Sequence, residues 1–529
     1  MMSNNDNFPV VIIGAGLAGL SAGAHLAGRD IAPLIIDADA LWAGGRLSGG
    51  EPEQFTLDGR TWQFKPDHGV HAIWGGYVNM RAMIDRFTET QLQLSAGEEW
   101  INRWGRTVRR MEAGNAIRSQ WIPAPLHYLQ LLFHPQIWAT IQPWDFLSLP
   151  GFLASILLTV GTDPIREKVA WDGLKMKDYF IGWTPNLRAT FEGLGVNLLA
   201  APKEDISLAG FIAGLRFYTM LRNDSWQMQY MPADSHTSLI QPLIEHIQAA
   251  GGAVQGGITA KQIKRDGDGW EIIVEDSQKQ GIRRLHADHI ILAMNAPATK
   301  RLLLNSPDFA DTASEMIFPE GLRNGVVRLW FKGSPRPSTQ GGMFTGDFAP
   351  DNFFWLHRLY DDYAEWHQVT GGSVIELHYY EDKHLNQPDR NLIVASVTEV
   401  QRAFPEIRGE FIHASVRRNS KVHSQFRVPT QESLHVISPW ETIYACGDWI
   451  GHDTPSLWME RATTTGIAAA NAVLESHNQA PYQILYPRRP AILAQVLGSI
   501  VRVGRVILAP IVTSIFRLFR RNSSSEKSS

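Results

Sequence analysis

Cysteine is almost absent from this chain: Cys446 is the only one among 529 residues. A single cysteine cannot form an intramolecular disulfide, a pattern typical of proteins from a reducing compartment. Before Phe8 the chain has asparagine and aspartate, and it lacks the basic and apolar regions of a signal peptide. These absences predict a cytoplasmic protein.

An excess of charge of one sign is also missing. The 49 Lys and Arg residues nearly balance the 53 Asp and Glu residues, and the formal net charge is −4. That balance gives no reason to expect a nucleic acid partner, and no residue pattern predicts a metal site. With 44% hydrophobic residues, a chain of this length can form more than one domain.

Glycine is abundant, and near the N-terminus it forms a dinucleotide-binding pattern. An apolar run at residues 10–13 predicts a buried parallel strand. A glycine-rich turn follows, and residues 17–29 then predict a helix whose N-terminal amides face a phosphate. A second apolar run ends at Asp37 and Ala38, where a carboxylate can accept a hydrogen bond from a ribose hydroxyl. The expected phosphate-binding residues are Gly14, Gly16, Leu17, Ala18 and Gly19.

Two later segments indicate that the dinucleotide is FAD. Gly44 and Gly45 followed by Arg46 suit a cofactor whose pyrophosphate and ribityl chain are held along their length. Near the other end of the chain, a predicted buried strand breaks at Gly447 and Asp448, where an acid can accept from a ribityl hydroxyl. A helix predicted from about residue 455, past Met459, would direct its positive end at a reduced flavin ring.

With these motifs the chain resembles the flavin-containing amine oxidase and phytoene desaturase superfamily. The marks are the G-x-G-x-x-G, Asp37, the G-G-R at 44–46 and the G-D-W…P-S-x-x-M-E-R-A at 447–462, and the resemblance covers about residues 8–475. It implies an α/β fold with a Rossmann-like FAD-binding domain of the glutathione-reductase type and a discontinuous α+β substrate domain. It also implies that Ala260 contacts the adenine through its backbone.

The resemblance implies domain boundaries as well. We expect the FAD-binding domain to comprise residues 1–75, 232–300 and 430–478, and the substrate domain to comprise 76–231 and 301–429. Residues 479–529 form a separate tail.

Within the superfamily, the D-H-G-x-H segment at 67–71 resembles the carotenoid desaturases, especially those that make aromatic-ring carotenoids such as isorenieratene. Tyr77, Asn79 and Arg461 match the same enzymes. The resemblance implies an FAD-dependent oxidoreductase that desaturates or otherwise oxidises a hydrophobic polyene or isoprenoid by transfer from C–H to flavin N5. It places His71, His68, Glu460 and Trp458 near the flavin as candidate catalytic residues. The alternative for the histidines and for Asp67 is that they fix their loop through hydrogen bonds.

Two other functions within this fold remain open. Flavin amine oxidases carry a lysine on a substrate-domain strand, where this chain offers Arg328 and, further along, Lys332. They also place an aromatic residue where Trp458 stands. A redox-silent carotenoid isomerase that retains FAD is the third interpretation. The sequence leaves open the oligomeric state, the particular substrate and the terminal electron acceptor.

The last forty residues differ in kind from the rest. Residues 488–529 carry eight basic side chains against one acidic side chain, a net +7, with apolar pairs between them. The uncharged stretch at 506–516 is too short to span a bilayer. We expect a basic amphipathic tail that binds an anionic membrane surface, the alternative being a helix that packs on the protein itself. A second apolar region, 123–160, is a candidate entrance for a lipid-dissolved substrate, or else ordinary buried helices.

Overall fold

The first sheet of the fold is built mainly from parallel strands. The computed structural model describes residues 7–118, 121–336 and 339–507. Five parallel strands lie in the spatial order Ala253–Gln255, Leu34–Ile36, Asn7–Ile13, Gly281–Leu292 and Ile443–Ala445. Strands Ile258–Asp266 and Gly269–Asp276 form an antiparallel meander with the first half of Gly281–Leu292. This arrangement confirms the predicted α/β fold with a Rossmann-like sheet.

The local predictions for this sheet hold with small shifts at helix ends. The apolar run at 10–13 is fully buried in the sheet, as a strand covered on both faces requires. The helix predicted at 17–29 is Leu17–Ala27. The helix predicted from about 455 begins at Trp458 and ends at Ser476, because Leu457 before it is extended.

A second sheet of mixed direction lies apart in sequence from the first. Its strands, in spatial order, are Phe411–Ser424, Gly321–Phe331, Ser373–Tyr379, Asn352–Trp355, Gly341–Gly346, Glu98–Trp104 and Thr107–Glu112. Two small sheets contain Glu53–Leu57 with Arg60–Phe64, and Ile73–Trp74 with Met228–Tyr230 and Gln93–Leu94. The predicted domain boundaries stay a prediction.

Helices cover and connect these sheets. The longer ones besides those already given are Val78–Phe87, Leu149–Gly161, Pro185–Leu199, Leu208–Leu215, Gln241–Ala249, Ala296–Leu304, Pro307–Ser314, Asp361–Thr370 and Asp389–Ala403. Shorter α-helices are Gly114–Arg118, Ile137–Thr140, Pro164–Glu167 and Asp382–Leu385. A further helix covers 492–507, and residues 508–529 of the predicted tail lie outside the described residues.

The helix at 492–507 packs against Leu149–Gly161. A Cβ on Gly161 would lie 2.2 Å from the Val501 side chain, and Arg505 donates to Thr162 and Glu167. By length and apolar composition alone, Pro143–Gly161 is one described segment that could cross a membrane, and 39% of it is buried in the protein. The described part of the tail, up to residue 507, therefore packs on the second apolar region of the protein.

Candidate functional site

A cavity of about 930 Å³ extends between the first sheet and the second. Its lining includes Asp37, which follows a strand of the first sheet, and Ala260, which belongs to one. It also includes His378 and His423, which belong to the second sheet. The volume is at the upper end of the range that protein ligand pockets usually have, about 300–1,000 Å³.

The glycine turn after the first strand leaves free space at one of its three glycines. Gly14 has φ of +116°, and a Cβ there would lie 2.7 Å from the Ala293 carbonyl oxygen. A Cβ on Gly19 would lie 2.0 Å from the Gly14 oxygen, so the helix cannot approach the turn without this glycine. A Cβ on Gly16 would meet nothing within 4 Å. The chain itself needs Gly14 and Gly19, whereas Gly16 keeps open the space where a dinucleotide pyrophosphate fits.

The second glycine pair packs directly on this turn. The Gly44 amide donates to the Ala15 carbonyl at 2.8 Å, and a Cβ on Gly45 would lie 3.4 Å from the Gly16 Cα. The Asp37 carboxylate accepts from the Ala15 amide at 2.6 Å. Burial raises the pKa of Asp37. Two glycine loops and one acid thus converge at the N-terminus of helix Leu17–Ala27, where the first amides have no partner within the helix.

An ion pair joins the G-G-R segment near the start of the chain to the G-D-W segment near its other end. Arg46 donates to Asp448 at 2.5 Å and lies 2.8 Å from the His423 ring nitrogen Nδ1. The Asp448 side chain is only 7% exposed, so this contact is largely shielded from water. Since Asp448 follows Gly447, the G-G-R and G-D-W segments lie side by side along one cavity.

The C-terminal helix presents its first turn to the same cavity. Trp458, its first residue, has φ of +50°, an uncommon conformation for a bulky residue. Its indole Nε1 donates to the Leu198 carbonyl at 2.8 Å, and its ring lies 4.7 Å from the His423 ring. These contacts hold the Trp458 backbone in its strained state and direct Met459 to the cavity.

All predicted site residues except Gly19 and Glu460 line the cavity. The residues that do are Gly14, Gly16, Leu17, Ala18, Asp37, Ala38, Gly44, Gly45, Arg46, His68, His71, Ala260, Gly447, Asp448, Trp458 and Met459. Within the described residues, this lining therefore suits an elongated dinucleotide. It includes Asp37 at the end of a strand and the first turn of helix Trp458–Ser476.

Glu460 faces away from the cavity. Its carboxylate accepts from the Asn79 amide and side chain and from the Met80 amide, so it caps helix Val78–Phe87. Burial raises the pKa of Glu460 to about 7. Because no cavity wall includes its side chain, we assign Glu460 a positioning role in place of the catalytic role first expected.

The predicted D-H-G-x-H loop brings His68 and His71 to the cavity. Burial lowers the pKa of His68 to about 2 and that of His71 to about 4. Among the described residues, neither ring nitrogen of His68 has a hydrogen-bond partner. The Nδ1 of His71 has none either. Asp67 fixes the loop, as its alternative interpretation predicted, because it accepts from the His68 amide, from Ser235 and from the Tyr360 hydroxyl.

A buried ion pair that sequence reasoning missed supports this loop from behind. Arg328 and Glu376 face each other on neighbouring strands, with side chains 4% and 1% exposed. Arg328 also donates to the Asp67 carbonyl, and Glu376 accepts from the Val70 amide at 2.7 Å. One signal was available, because Glu376, His378 and Tyr380 alternate with apolar residues and so belong to one face of a strand.

Arg328 and Lys332 differ from the lysine that flavin amine oxidases place near the flavin. Arg328 is buried against Glu376 and does not line the cavity, and Lys332 is exposed. Among the described residues that line the cavity, the one lysine is Lys261, which follows Ala260 in the chain and pairs with Glu275.

Comparison with known proteins agrees with this geometry. The model of the flavin containing amine oxidoreductase family matches residues 17–474. A carotenoid phi-ring synthase of Streptomyces griseus is 25% identical over 94% of this chain and 91% of its own length. The chloroplastic/chromoplastic 15-cis-phytoene desaturase of Arabidopsis thaliana is 23% identical over 93% of this chain and 83% of its own length.

Solved structures agree on the fold. Cyclohexylamine oxidase from Brevibacterium oxydans superposes with a TM-score of 0.63 at 14% identity, over 89% of this chain and 100% of that one. A putrescine oxidase superposes with a TM-score of 0.61 at 13% identity, over 89% of this chain and 99% of that one. Motifs, cavity and comparisons lead to one assignment: this chain is a flavin-dependent oxidoreductase that belongs to the flavin containing amine oxidoreductase family.

Proposed function

We propose that this protein is an FAD-dependent oxidoreductase that desaturates or otherwise oxidises a hydrophobic, carotenoid-like polyene. The observation that carries this proposal is the wall of the cavity beyond the flavin motifs. There the lining includes an aromatic chamber, defined as Trp74, Trp100, Tyr218, Trp226 and Tyr230. Aromatic rings provide the large apolar contact area that a conjugated chain needs. Two relatives named for carotenoid chemistry support the same choice.

The glycine loops and Asp37 are our candidates to bind the adenosine and pyrophosphate parts of FAD. The Gly16 backbone and the amides of Leu17 and Ala18 suit the phosphates, and Asp37 suits a ribose hydroxyl. Asp448, held by Arg46, is placed to accept from a ribityl hydroxyl. The first turn of helix Trp458–Ser476 would direct its positive end at the ring.

The bound flavin supplies a two-electron acceptor, and the protein's own residues orient the substrate and exclude water. In the chamber, Trp74 packs on Tyr218 and Trp226 with ring centroids 4.7 and 5.3 Å apart. The Tyr77 hydroxyl lies 2.8 Å from that of Tyr218, so these two phenols form a hydrogen bond with each other. The chamber thus offers a polyene a largely aromatic surface, and the carboxylate of Glu98, which also lines the cavity, is paired with Arg118.

Amine oxidation is less well supported by the same cavity. An amine substrate needs a group that removes a proton from nitrogen, and Lys261, the one lysine among the described lining residues, is paired with Glu275 at 2.6 Å. One face of Trp458 packs on His423, so that this ring is not free to form an aromatic cage. These contacts favour a polyene over an amine.

The proposal predicts a change of pigment in cells. Expressed in bacteria that accumulate β-carotene, the protein should yield products lighter by pairs of hydrogen atoms, with shifted absorbance. The measurement is chromatography with absorbance and mass detection, with an Asp448→Ala strain as control. Unchanged mass with altered geometry would favour the isomerase, and hydrogen peroxide released from amines with intact pigment would favour the amine oxidase.

We also propose that the protein takes its substrate from an anionic membrane surface. Helices Leu149–Gly161 and 492–507 both leave large apolar side chains exposed, Leu149, Leu153 and Leu157 on the first and six on the second. The exposed side chains of the second helix are Ile492, Val496, Ile500, Val503, Val506 and Ile507. Together with the basic excess of the tail, they suit a helix pair that lies in the interface of a bilayer.

Ring contacts connect this surface to the cavity. Phe152, on helix Leu149–Gly161, lies 6.3 Å from Phe191, and Phe191 lies 6.4 Å from Trp100 of the aromatic chamber. A small apolar pocket lined by Phe152 and Phe191 shares Leu194 with the main cavity. We propose that this row of rings marks the direction in which an apolar substrate passes from lipid to the chamber.

Replacing Ile500 and Val503 by glutamate should release the protein from anionic liposomes, because the change removes apolar contact and adds repulsion. Co-sedimentation with phosphatidylglycerol-containing liposomes measures this, and we expect at least about a tenfold weaker partition, roughly 1.4 kcal/mol. Val394→Glu is the matched control, since Val394 is 60% exposed on a different helix. Equal partition of the double variant and the control would contradict the membrane proposal.

A further inference from the structure

Four histidines of the described chain line the cavity, and one of them differs from the rest. They are His68, His71, His378 and His423. Of these, only His378 lies against a carboxylate, with its Nε2 at 2.7 Å from the Glu376 Oε1. Its other nitrogen, Nδ1, lies 3.3 Å from the Tyr380 hydroxyl. Tyr380 also lines the cavity, so a carboxylate, an imidazole and a phenol form one row that ends at the cavity wall.

The partners of this row determine where its protons lie. Burial alone would raise the pKa of Glu376, but Arg328 and His378 hold it at about 2, so the carboxylate is an acceptor only. The His378 Nε2 therefore carries the hydrogen that Glu376 accepts, and Nδ1 is left to accept from the Tyr380 hydroxyl. Asn352 donates to the same phenolic oxygen at 3.2 Å. The phenol is thus held with its proton directed at His378.

His68 and His71 are less suited to receive a proton. Their low pKa values mean that their rings hold an added proton weakly at neutral pH. No carboxylate of the described residues forms an ion pair with either ring, whereas an imidazolium formed at His378 would be paired with Glu376 at once. This is the arrangement by which a carboxylate stabilises a histidine that acts as a base.

We propose that Tyr380, backed by His378 and Glu376, accepts the proton that the polyene loses when its new double bond forms. The inference rests on the proposed function. A bound flavin would supply the two-electron acceptor that takes the hydride from one C–H bond of the substrate. On the neighbouring carbon a second C–H bond breaks, and its electron pair becomes the new C=C bond. That proton passes to the Tyr380 oxygen while the phenolic proton passes to the His378 Nδ1.

The test is a single-turnover measurement on the FAD-loaded protein in liposomes that contain β-carotene, without oxygen. Loss of flavin absorbance reports the step. Tyr380→Phe and His378→Asn should bind FAD as the wild type does, yet reduce it about 10²–10⁴-fold more slowly, the usual contribution of general acid–base catalysis. Tyr379→Phe is the matched control, because its hydroxyl is bonded to Ser396 and it does not line the cavity. We expect it to react at the wild-type rate.

A second readout does not depend on turnover. In apoprotein labelled with ¹⁵N-histidine, the resonances lost in His378→Asn should be those of a neutral ring with hydrogen on Nε2. A ring with hydrogen on Nδ1, or Tyr380→Phe protein that reduces its flavin at the wild-type rate, would overturn the inference while leaving the proposed function intact. A wild-type flavin that β-carotene fails to reduce would overturn the proposed function, and the inference with it.

Discussion

A Gly16→Val variant is expected to fold normally and to bind no flavin. Gly16 has φ of −74° and ψ of 177°, a conformation that valine adopts readily, and a Cβ there meets no atom within 4 Å. The free energy of unfolding should therefore stay within about 1 kcal/mol of the wild type. The added methyl groups would occupy the space reserved for the pyrophosphate. We expect FAD affinity to fall at least about 100-fold, close to 3 kcal/mol, as measured by titration of apoprotein.

Two further glycine variants make this result specific. Gly281→Val adds the same side chain at a strand end with space around it and far from the cavity, and it should bind FAD normally. Gly19→Ala should instead destabilise the fold, because its Cβ would overlap the Gly14 oxygen. If Gly16→Val bound FAD with wild-type affinity, the pyrophosphate could not lie against this turn.

Arg328→Met is expected to be the most destabilising of the single changes considered. It removes a guanidinium 4% exposed and leaves Glu376 buried without its charged partner. Breaking a buried pair in this way costs about 3–5 kcal/mol. It also removes the donor that holds the Asp67 carbonyl, so the loop with His68 and His71 should loosen. Chemical denaturation followed by tryptophan fluorescence measures the free energy of unfolding.

The matched control is Arg284→Met. Arg284 pairs with Glu271 at 2.9 Å, but its side chain is 69% exposed, and exposed pairs contribute about 0–1 kcal/mol. A similar decrease in the free energy of unfolding in the two variants would mean that Arg328 does not support the loop through its buried charge.

The parts of the fold that could be predicted are those specified by neighbouring residues. The strand at residues 10–13, the glycine turn and the helix after it follow from an apolar run, a sharp turn and local helix geometry. The two flavin segments were recognisable for the same reason, as each contains its own turn and strand. The sequence predicts that the two segments meet because they share a ligand, and the ion pair between Arg46 and Asp448, which was not predicted, joins them directly.

The support behind the site could not be predicted in the same way. Arg328 and Glu376 are 48 positions apart, and only the register of their two strands brings them together. A single-residue slip of one strand against the other would put the two side chains on opposite faces of the sheet. The packing of residues 492–507 on helix Leu149–Gly161 is likewise a tertiary contact. Amphipathic periodicity predicts which face of the helix is apolar, but it does not predict which segment of the protein that face contacts.

The identity of the bound cofactor tests the central claim most directly. We propose that the segments around Gly14, Gly44 and Gly447 bind one flavin dinucleotide along a single cavity. Heat release from purified wild-type protein, followed by mass spectrometry and absorbance, should give one FAD per chain. A colourless protein that binds only NADP would contradict the account.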